Sequence, residues 1–233
     1  ITAAGTLFPT PPAGDGPPTA TCLVLVTPDS QRTLNTYLGA CAELSAEDLD
    51  AALIESAEIT YLEGYLYDAP SAQQAFAQAA AIAHAAGKKV ALSLSDPFCV
   101  QRHREAFVRL VDRHVDVLFA NHAEISALFQ TGDDAAIVER LKRMTQLAAV
   151  TRGPGGSTIV AGRDVVQIAA EPVAKVVDTT GAGDLYAAGF LFGLTQGRSL
   201  PECGRLASLA AAEAISHFGA RPQVSLRTLV SAA

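Results

Sequence analysis

Four short apolar runs recur along the chain with helical patterns between them: Ile59-Thr60-Tyr61-Leu62, Val90-Ala91-Leu92-Ser93-Leu94, Val115-Asp116-Val117-Leu118-Phe119 and Leu147-Ala148-Ala149-Val150-Thr151. Runs this short and this apolar read as strands buried on both faces, and their alternation with helices reads as parallel βαβ units. The pattern predicts a doubly wound, mainly parallel α/β sheet flanked by helices. A helix is expected over 46–55, capped by Ser45, and an alanine-rich one stops at Gly87, with Ser71 and Gln74 as its capping box. Further helices are expected near 98–112, 122–130 and 133–144. An antiparallel group follows around 157–176, and helices over about 182–196 and 201–217 close the chain.

Residues 1–18 are punctuated by Pro9, Pro11, Pro12, Gly14, Gly16, Pro17 and Pro18 and read as an extended arm. Residues 19–40 read as a β-hairpin, because two strand-like runs flank the loop Thr27-Pro28-Asp29-Ser30-Gln31. Arg32, Asn35 and Tyr37 give that hairpin a partly polar face, as a sheet covering a cleft would have. Residues 41–233 are expected to form the α/β core.

Composition narrows the chemistry. At 49% hydrophobic and 18% charged the chain is too apolar for disorder. Its formal net charge of −7 argues against a general nucleic-acid or anionic-membrane surface. An anionic ligand would have to be held by local devices such as helix N-termini. Cys22, Cys41, Cys99 and Cys203 are far apart and have neither Cys-x-x-Cys nor zinc spacing, so a reducing, cytoplasmic setting is expected. No apolar run is long enough to span a membrane, and the absence of a basic residue before Arg32 argues against a secretory signal.

In doubly wound sheets ligands sit beyond the carboxyl ends of the strands. The segments there are Ser95-Asp96-Pro97, Asn121-His122-Ala123-Glu124, Arg152-Gly153-Pro154-Gly155-Gly156 and Asp178-Thr179-Thr180-Gly181-Ala182-Gly183-Asp184. The last runs straight into an apolar helix. Its small residues leave backbone N–H groups pointing outward at a helix start, where the macrodipole adds roughly half a positive charge. That makes an anion cradle, with the Asp184 carboxylate in the first turn ready to accept a proton. A plain glycine turn with an Asp cap would not call for two acids around Gly-Ala-Gly. A P-loop would need Gly-Lys-Ser/Thr, and a dinucleotide fingerprint would need glycine where Tyr186 stands.

Residues 178–184 resemble the C-terminal signature of the PfkB (ribokinase/adenosine kinase) superfamily of small-molecule kinases, and the likeness runs from about residue 19 to 224. The resemblance implies that Asp184 is the catalytic base and that Gly181, Ala182 and Gly183 form the anion hole for the γ-phosphate of ATP. Asn121-His122-Ala123-Glu124 is similar to the family's Asn-x-x-Glu motif, which implies that Asn121 helps place phosphate and that Glu124 holds Mg²⁺ through water. Thr151, Gly153 and Gly156 fall on a Thr-x-Gly-x-x-Gly nucleotide loop, and Ser208 on a position that touches the nucleotide. The stretch Ala214 to Gln223 resembles the loop that closes over adenine; with Asp178 and Thr180, its Gly219 is implied in a monovalent cation site, K⁺.

The hairpin resembles the lid strands of adenosine-kinase-like members, which leans the acceptor towards a nucleoside over a sugar such as ribose. Lids of this kind also pair between subunits, so a homodimer through the hairpin is a further expectation. The family pattern includes a section ahead of Thr21 that carries an acidic substrate ligand and a Gly-Gly grip. No Gly-Gly precedes Gly155-Gly156, so the chain is expected to lack that section and to leave one sheet edge open. A nucleotide-binding protein without turnover is the remaining alternative; the intact Asp184 weighs against it.

Overall fold

The computed structural model describes residues 5–228. The hairpin pairs β1 (Thr21–Val26) with β2 (Arg32–Tyr37) as a separate antiparallel ribbon, in register from Thr21 opposite Tyr37 to Val26 opposite Arg32. The main sheet has six strands in sequence order: β3 (Ile59–Glu63), β4 (Lys89–Ser93), β5 (Val117–Asn121), β6 (Leu147–Thr151), β7 (Ser157–Ala161) and β8 (Asp164–Ile168). The strands β3 to β6 are parallel, and β7 and β8 are added antiparallel. Among the described residues no strand pairs with the outer edge of β3.

Alternate residues of the parallel strands feed two cores. Val90, Leu92, Leu118, Ala120, Ala148 and Val150 face a layer built from α2 (Pro70–Ala85), α3 (Pro97–Arg102), α4 (Arg104–His114), α5 (His122–Phe129) and α6 (Asp134–Met144). The short α1 (Ala51–Ser56) packs on the rim of that layer through Ile54. Ala91, Val117, Phe119, Leu147 and Ala149 face α7 (Ala182–Thr195) and α8 (Leu200–Ala214) instead. Burial on both sides is why these strands are apolar runs and not alternating ones. The helices α7 and α8 meet almost backbone to backbone. A Cβ at Gly189 would lie 2.7 Å from the Leu206 carbonyl oxygen, and one at Gly193 would lie 2.9 Å from Cys203 Sγ.

Several elements differ from the sequence expectation. The 46–55 helix is two pieces: Ser45 caps a 3₁₀ turn over Ala46–Asp48 with Asp48 completing the box, and Asp50 caps α1 anew. Ser71 and Gln74 form no capping box, because Pro70 already occupies the first helical position and α2 starts there. The 98–112 helix breaks at His103 into α3 and α4, with Asp96 capping the first piece through the N–H groups of Phe98 and Cys99. The third parallel strand starts at Val117 and not at Val115, and the antiparallel group ends at Ile168, with no strand over 169–176. The last two helices end at Thr195 and Ala214.

Among the described residues Phe107 and Phe190 are the largest fully buried side chains, and the Phe107 ring lies 4.4 Å from the Tyr67 ring, centroid to centroid. Truncating it opens a cavity that the alanine-rich α2 cannot collapse to fill. Phe107→Ala is therefore expected to lower the free energy of unfolding by about 3–5 kcal/mol, measured by urea denaturation.

Candidate active site

All four parallel strands end on the same edge, and each delivers a polar group there. Glu63 ends β3, Ser95 and Asp96 follow β4, Asn121 ends β5, and Thr151 ends β6 directly opposite Asn121. Asn121 and Glu124 form a reciprocal cap at the start of α5. Asn121 Oδ1 accepts the Glu124 N–H at 2.9 Å, while the Glu124 carboxylate accepts the Asn121 N–H at 2.9 Å and its Nδ2 at 2.6 Å. Glu124 is buried, and desolvation pushes its carboxyl up to about 7, with the Asp96 charge adding to the rise.

Glu63 was not singled out by the sequence, yet it belongs to this edge by the same rule as the others, as the last residue of the first parallel strand. It accepts the Ser95 hydroxyl, and Tyr61 donates to it at 3.4 Å. Desolvation, then repulsion from Asp184 and Glu124, pushes Glu63 up to about 7. Ser95 itself has φ +66°, a left-handed backbone unusual for a non-glycine residue. Among the described residues none of Glu63, Asp96, Glu124 or Asp184 has a Lys, Arg or His in ion-pair contact.

Asp184 enters from the other side, in the first turn of α7. Gly181 is the residue before that helix and has φ +80°; a Cβ there would lie 2.7 Å from Ala220 Cβ, so only glycine fits. Ala182 opens the helix, and a Cβ at Gly183 would meet nothing within 4 Å, which leaves room in front of the helix N-terminus. Asp178 is buried and fixes the turn. Its Oδ1 accepts the Thr180 N–H at 2.9 Å and hydroxyl at 2.6 Å, and its Oδ2 accepts the Gly219 N–H at 3.0 Å. Burial alone would raise its carboxyl, but the bonds from Thr180 and Gly219 and the nearby Arg32 outweigh it and hold Asp178 below the usual range.

The glycine loop after β6 is a single 3₁₀ turn, Gly153–Gly155, closed by Arg152 N–H to Gly156 O at 2.8 Å. Gly153 and Gly156 both have positive φ. A Cβ at Gly156 would lie 2.0 Å from the Ile168 carbonyl oxygen, so the loop can lie flat on the end of β8 only as glycine. Ser208, in α8, is buried and donates its hydroxyl to the Ala169 carbonyl at 3.2 Å, beside that contact. The structure thus brings Asn121, Glu124, Asp178, Thr180, Gly181, Ala182, Gly183, Asp184 and Gly219 into one connected region, and ties Ser208 to the Thr151–Gly156 loop. The hairpin reaches the same region: Ser30 donates to the Val176 carbonyl at 2.6 Å, and Arg32 donates to the Thr179 hydroxyl. Most residues of its two strands stay exposed, Leu23 at 66% and Tyr37 at 52%.

Polar side chains outside this edge have partners of their own. Arg102 and His103 both hold Asp68, His84 holds Asp116, and His122 shares Asp134 with Arg152. Cys99 and Cys203 are buried and free. Among the described residues no three His, Cys, Asp or Glu side chains converge to enclose a metal ion, and no helix is long and apolar enough to cross a membrane. A Mg²⁺ ion that keeps most of its waters and borrows ligands from a phosphate fits such a site, where an all-protein cage is absent.

With that geometry in hand, the chain matches the family described as pfkB family carbohydrate kinase over residues 13–227, and it belongs to that family. It is 30% identical over 218 residues to an adenosine kinase of Saccharomyces cerevisiae, covering 86% of this chain and 62% of the relative. Among solved structures it is similar to an adenosine kinase from Sinorhizobium meliloti (49% identity, TM-score 0.97, covering 100% of this chain and 72% of that one). It is also similar to a probable sugar kinase from Rhizobium etli (45% identity, TM-score 0.96, covering 99% of this chain and 70% of that one). The chain spans less than two thirds of the length of the curated relatives, 43% of an uncharacterized sugar kinase of Archaeoglobus fulgidus among them. The mainly parallel α/β fold expected from the sequence is that of these relatives.

A carboxyl whose folded value stands above its ordinary one holds a proton that the unfolded chain has already released. Between the two values the native state binds more protons, so stability falls as pH rises. For Glu63 and Glu124 the window runs from the ordinary value of 4.5 up to about 7. The wild-type melting temperature is expected to fall from pH 5 to pH 8 on this account, and Glu63→Gln to flatten that fall, measured by calorimetry across the range.

Proposed function

We propose that this chain is the nucleotide-binding and phosphoryl-transfer part of an ATP-dependent small-molecule kinase whose acceptor is a hydroxyl of a nucleoside. The observation that carries the reading is the position of Asp184: in the first turn of α7, beside an open helix N-terminus, and close enough to Glu63 for its charge to help raise that carboxyl. A phosphoryl group in front of Gly181–Gly183 would meet outward N–H groups and the positive helix end. Each such donor in a dry site is worth about 10²–10³ in rate.

Transfer needs positioning and charge stabilisation more than covalent chemistry. The acceptor oxygen forms a bond to the γ-phosphorus as the bond from that phosphorus to the bridging oxygen of ADP breaks. Asp184 takes the acceptor's proton late in that displacement, since an alcohol is too weak an acid to ionise first. Glu124, held by Asn121, would meet Mg²⁺ through water, and Glu63, on the same sheet edge and within the field of Glu124, would share the benefit of that charge. Mg²⁺ supplies the positive charge that lets these carboxylates ionise together beside a polyphosphate. With both its oxygens engaged, Asp178 would serve a K⁺ site by fixing the backbone of Thr180 and Gly219. The Thr151–Gly156 loop, with Ser208 behind it, would receive the nucleotide. We assign 19–40 as the lid and 41–233 as the core, the lid being tied to the anion turn by Arg32; a homodimer through its exposed face belongs to the same proposal.

The nucleoside acceptor is supported by the likeness to adenosine kinases at up to 49% identity. A sugar acceptor is the second reading, favoured by the likeness at 45% to the Rhizobium etli probable sugar kinase. ADP release from Mg-ATP, with K⁺ present, against a panel of nucleosides and sugars separates the two readings. Asp184→Asn is expected to lower kcat by about 10²–10⁴ while Mg-ATP binding is retained. Turnover that survives this change rules out the assigned base.

A further inference from the structure

We infer that Glu213, next to the last residue of α8, is a positioning residue of the nucleotide site, acting through the loop that follows it; this rests on the kinase reading above. The side chain is 8% exposed. One carboxylate oxygen, Oε1, accepts the Gln223 N–H at 2.7 Å, the Val224 N–H at 3.2 Å and His217 Nε2 at 3.1 Å. The other, Oε2, is buried and has no hydrogen-bond partner among the described residues.

Nothing about α8 itself calls for a carboxylate here. A helix C-terminus disfavours negative charge, and a buried carboxylate oxygen without a donor is costly. What the residue does hold is the far end of the 217–224 loop. The middle of that loop is held from the other side: Gly219 N–H is donated to Asp178, and Ala220 lies against Gly181, while just ahead of the loop Val177 N–H reaches the Ile215 carbonyl at 2.8 Å. Glu213 and Asp178 therefore grip one loop at two points, and the segment between them presses on the turn that precedes Ala182 and Asp184. Loosening the outer grip frees Ala220 to move off Gly181, which loosens the place assigned to the phosphates without touching any reacting group.

The test uses the full-length protein, with Mg-ATP as the probe. Glu213→Ala leaves two backbone N–H groups unpaired and is expected to weaken Mg-ATP binding and raise its KM about tenfold. The acceptor KM should be unchanged, and kcat should fall less than Mg-ATP affinity does. Hydrogen exchange at Gly219, Gln223 and Val224 should rise in the same variant. Glu213→Gln keeps an oxygen for the Gln223 and Val224 N–H groups and is expected to restore both readouts. A merely structural residue would lower stability without that split between substrates or that rescue. If Glu213→Ala does not fold, His217→Ala decides instead, with a smaller rise in the Mg-ATP KM expected and an unchanged one overturning the role. Wild type that binds Mg-ATP while Glu213→Ala binds it equally overturns the positioning role alone. Wild type that binds no Mg-ATP overturns the kinase reading, and this inference with it.

Discussion

Like charge gathered at one sheet edge is the constraint around which the rest of the molecule is arranged. Parallel strands bring their C-terminal ends together, so acids placed there cannot disperse. Glu63, Asp96, Glu124 and Asp184 share that edge without a basic side chain in ion-pair contact among the described residues. Glu63 and Glu124 both rise to about 7, chiefly because burial strips water from their carboxyls, with Asp184 and Glu124 adding to the rise at Glu63 and Asp96 to that at Glu124. The fold also supplies neutral donors at the same edge: Asn121 gives Glu124 a backbone and a side-chain N–H, and Ser95 gives Glu63 its hydroxyl from a left-handed backbone. Such an edge is most stable with protons or a divalent cation on it, which is why Mg²⁺ belongs to the reading as a counter-charge as much as a reagent.

The opposite wall is built from contacts that leave no spare volume. Gly181 touches Ala220, Gly156 touches the end of β8, and Asp178 joins the α7 turn to the loop after α8. The contacts of Gly181 and Asp178 link segments far apart in sequence, from 181 to 220 and from 178 to 219. The anion turn and the closing loop are therefore one mechanical unit. The hairpin is different. It touches that unit through Ser30 and Arg32 and leaves most of its surface to solvent, as a two-stranded ribbon that gains little stability of its own.

The sheet was legible because its signal is local: an apolar run of four or five residues, bounded by turn residues, can be little else than a strand covered on both faces. The anion turn was legible because Asp-x-x-Gly-x-Gly-Asp before an apolar helix concentrates its chemistry in seven consecutive positions. Helix boundaries were less so. Ser71 and Gln74 have the spacing of a capping box, but Pro70 before them had already set the helix start. His103 broke a helix whose pattern looked continuous, because Arg102 and His103 both turn to Asp68, a residue far off in sequence. Glu63 was missed for a similar reason: one glutamate after a strand means nothing until the parallel register sets it against Asp184. Glu213 was hidden entirely, since its partners lie beyond the helix end.

The close seam between α7 and α8 bears on how such a protein can diversify. With Gly189 and Gly193 admitting the backbone and side chain of the neighbouring helix, neither helix can slide along the other without collision. The residue assigned to the proton is thus locked to the frame, while the ribbon assigned to cover the acceptor hangs from it by two bonds. Changes in the ribbon away from Ser30 and Arg32 leave that frame undisturbed. On the proposed reading, a lineage built this way can exchange one alcohol for another by accumulating surface substitutions, with the phosphate end inherited intact.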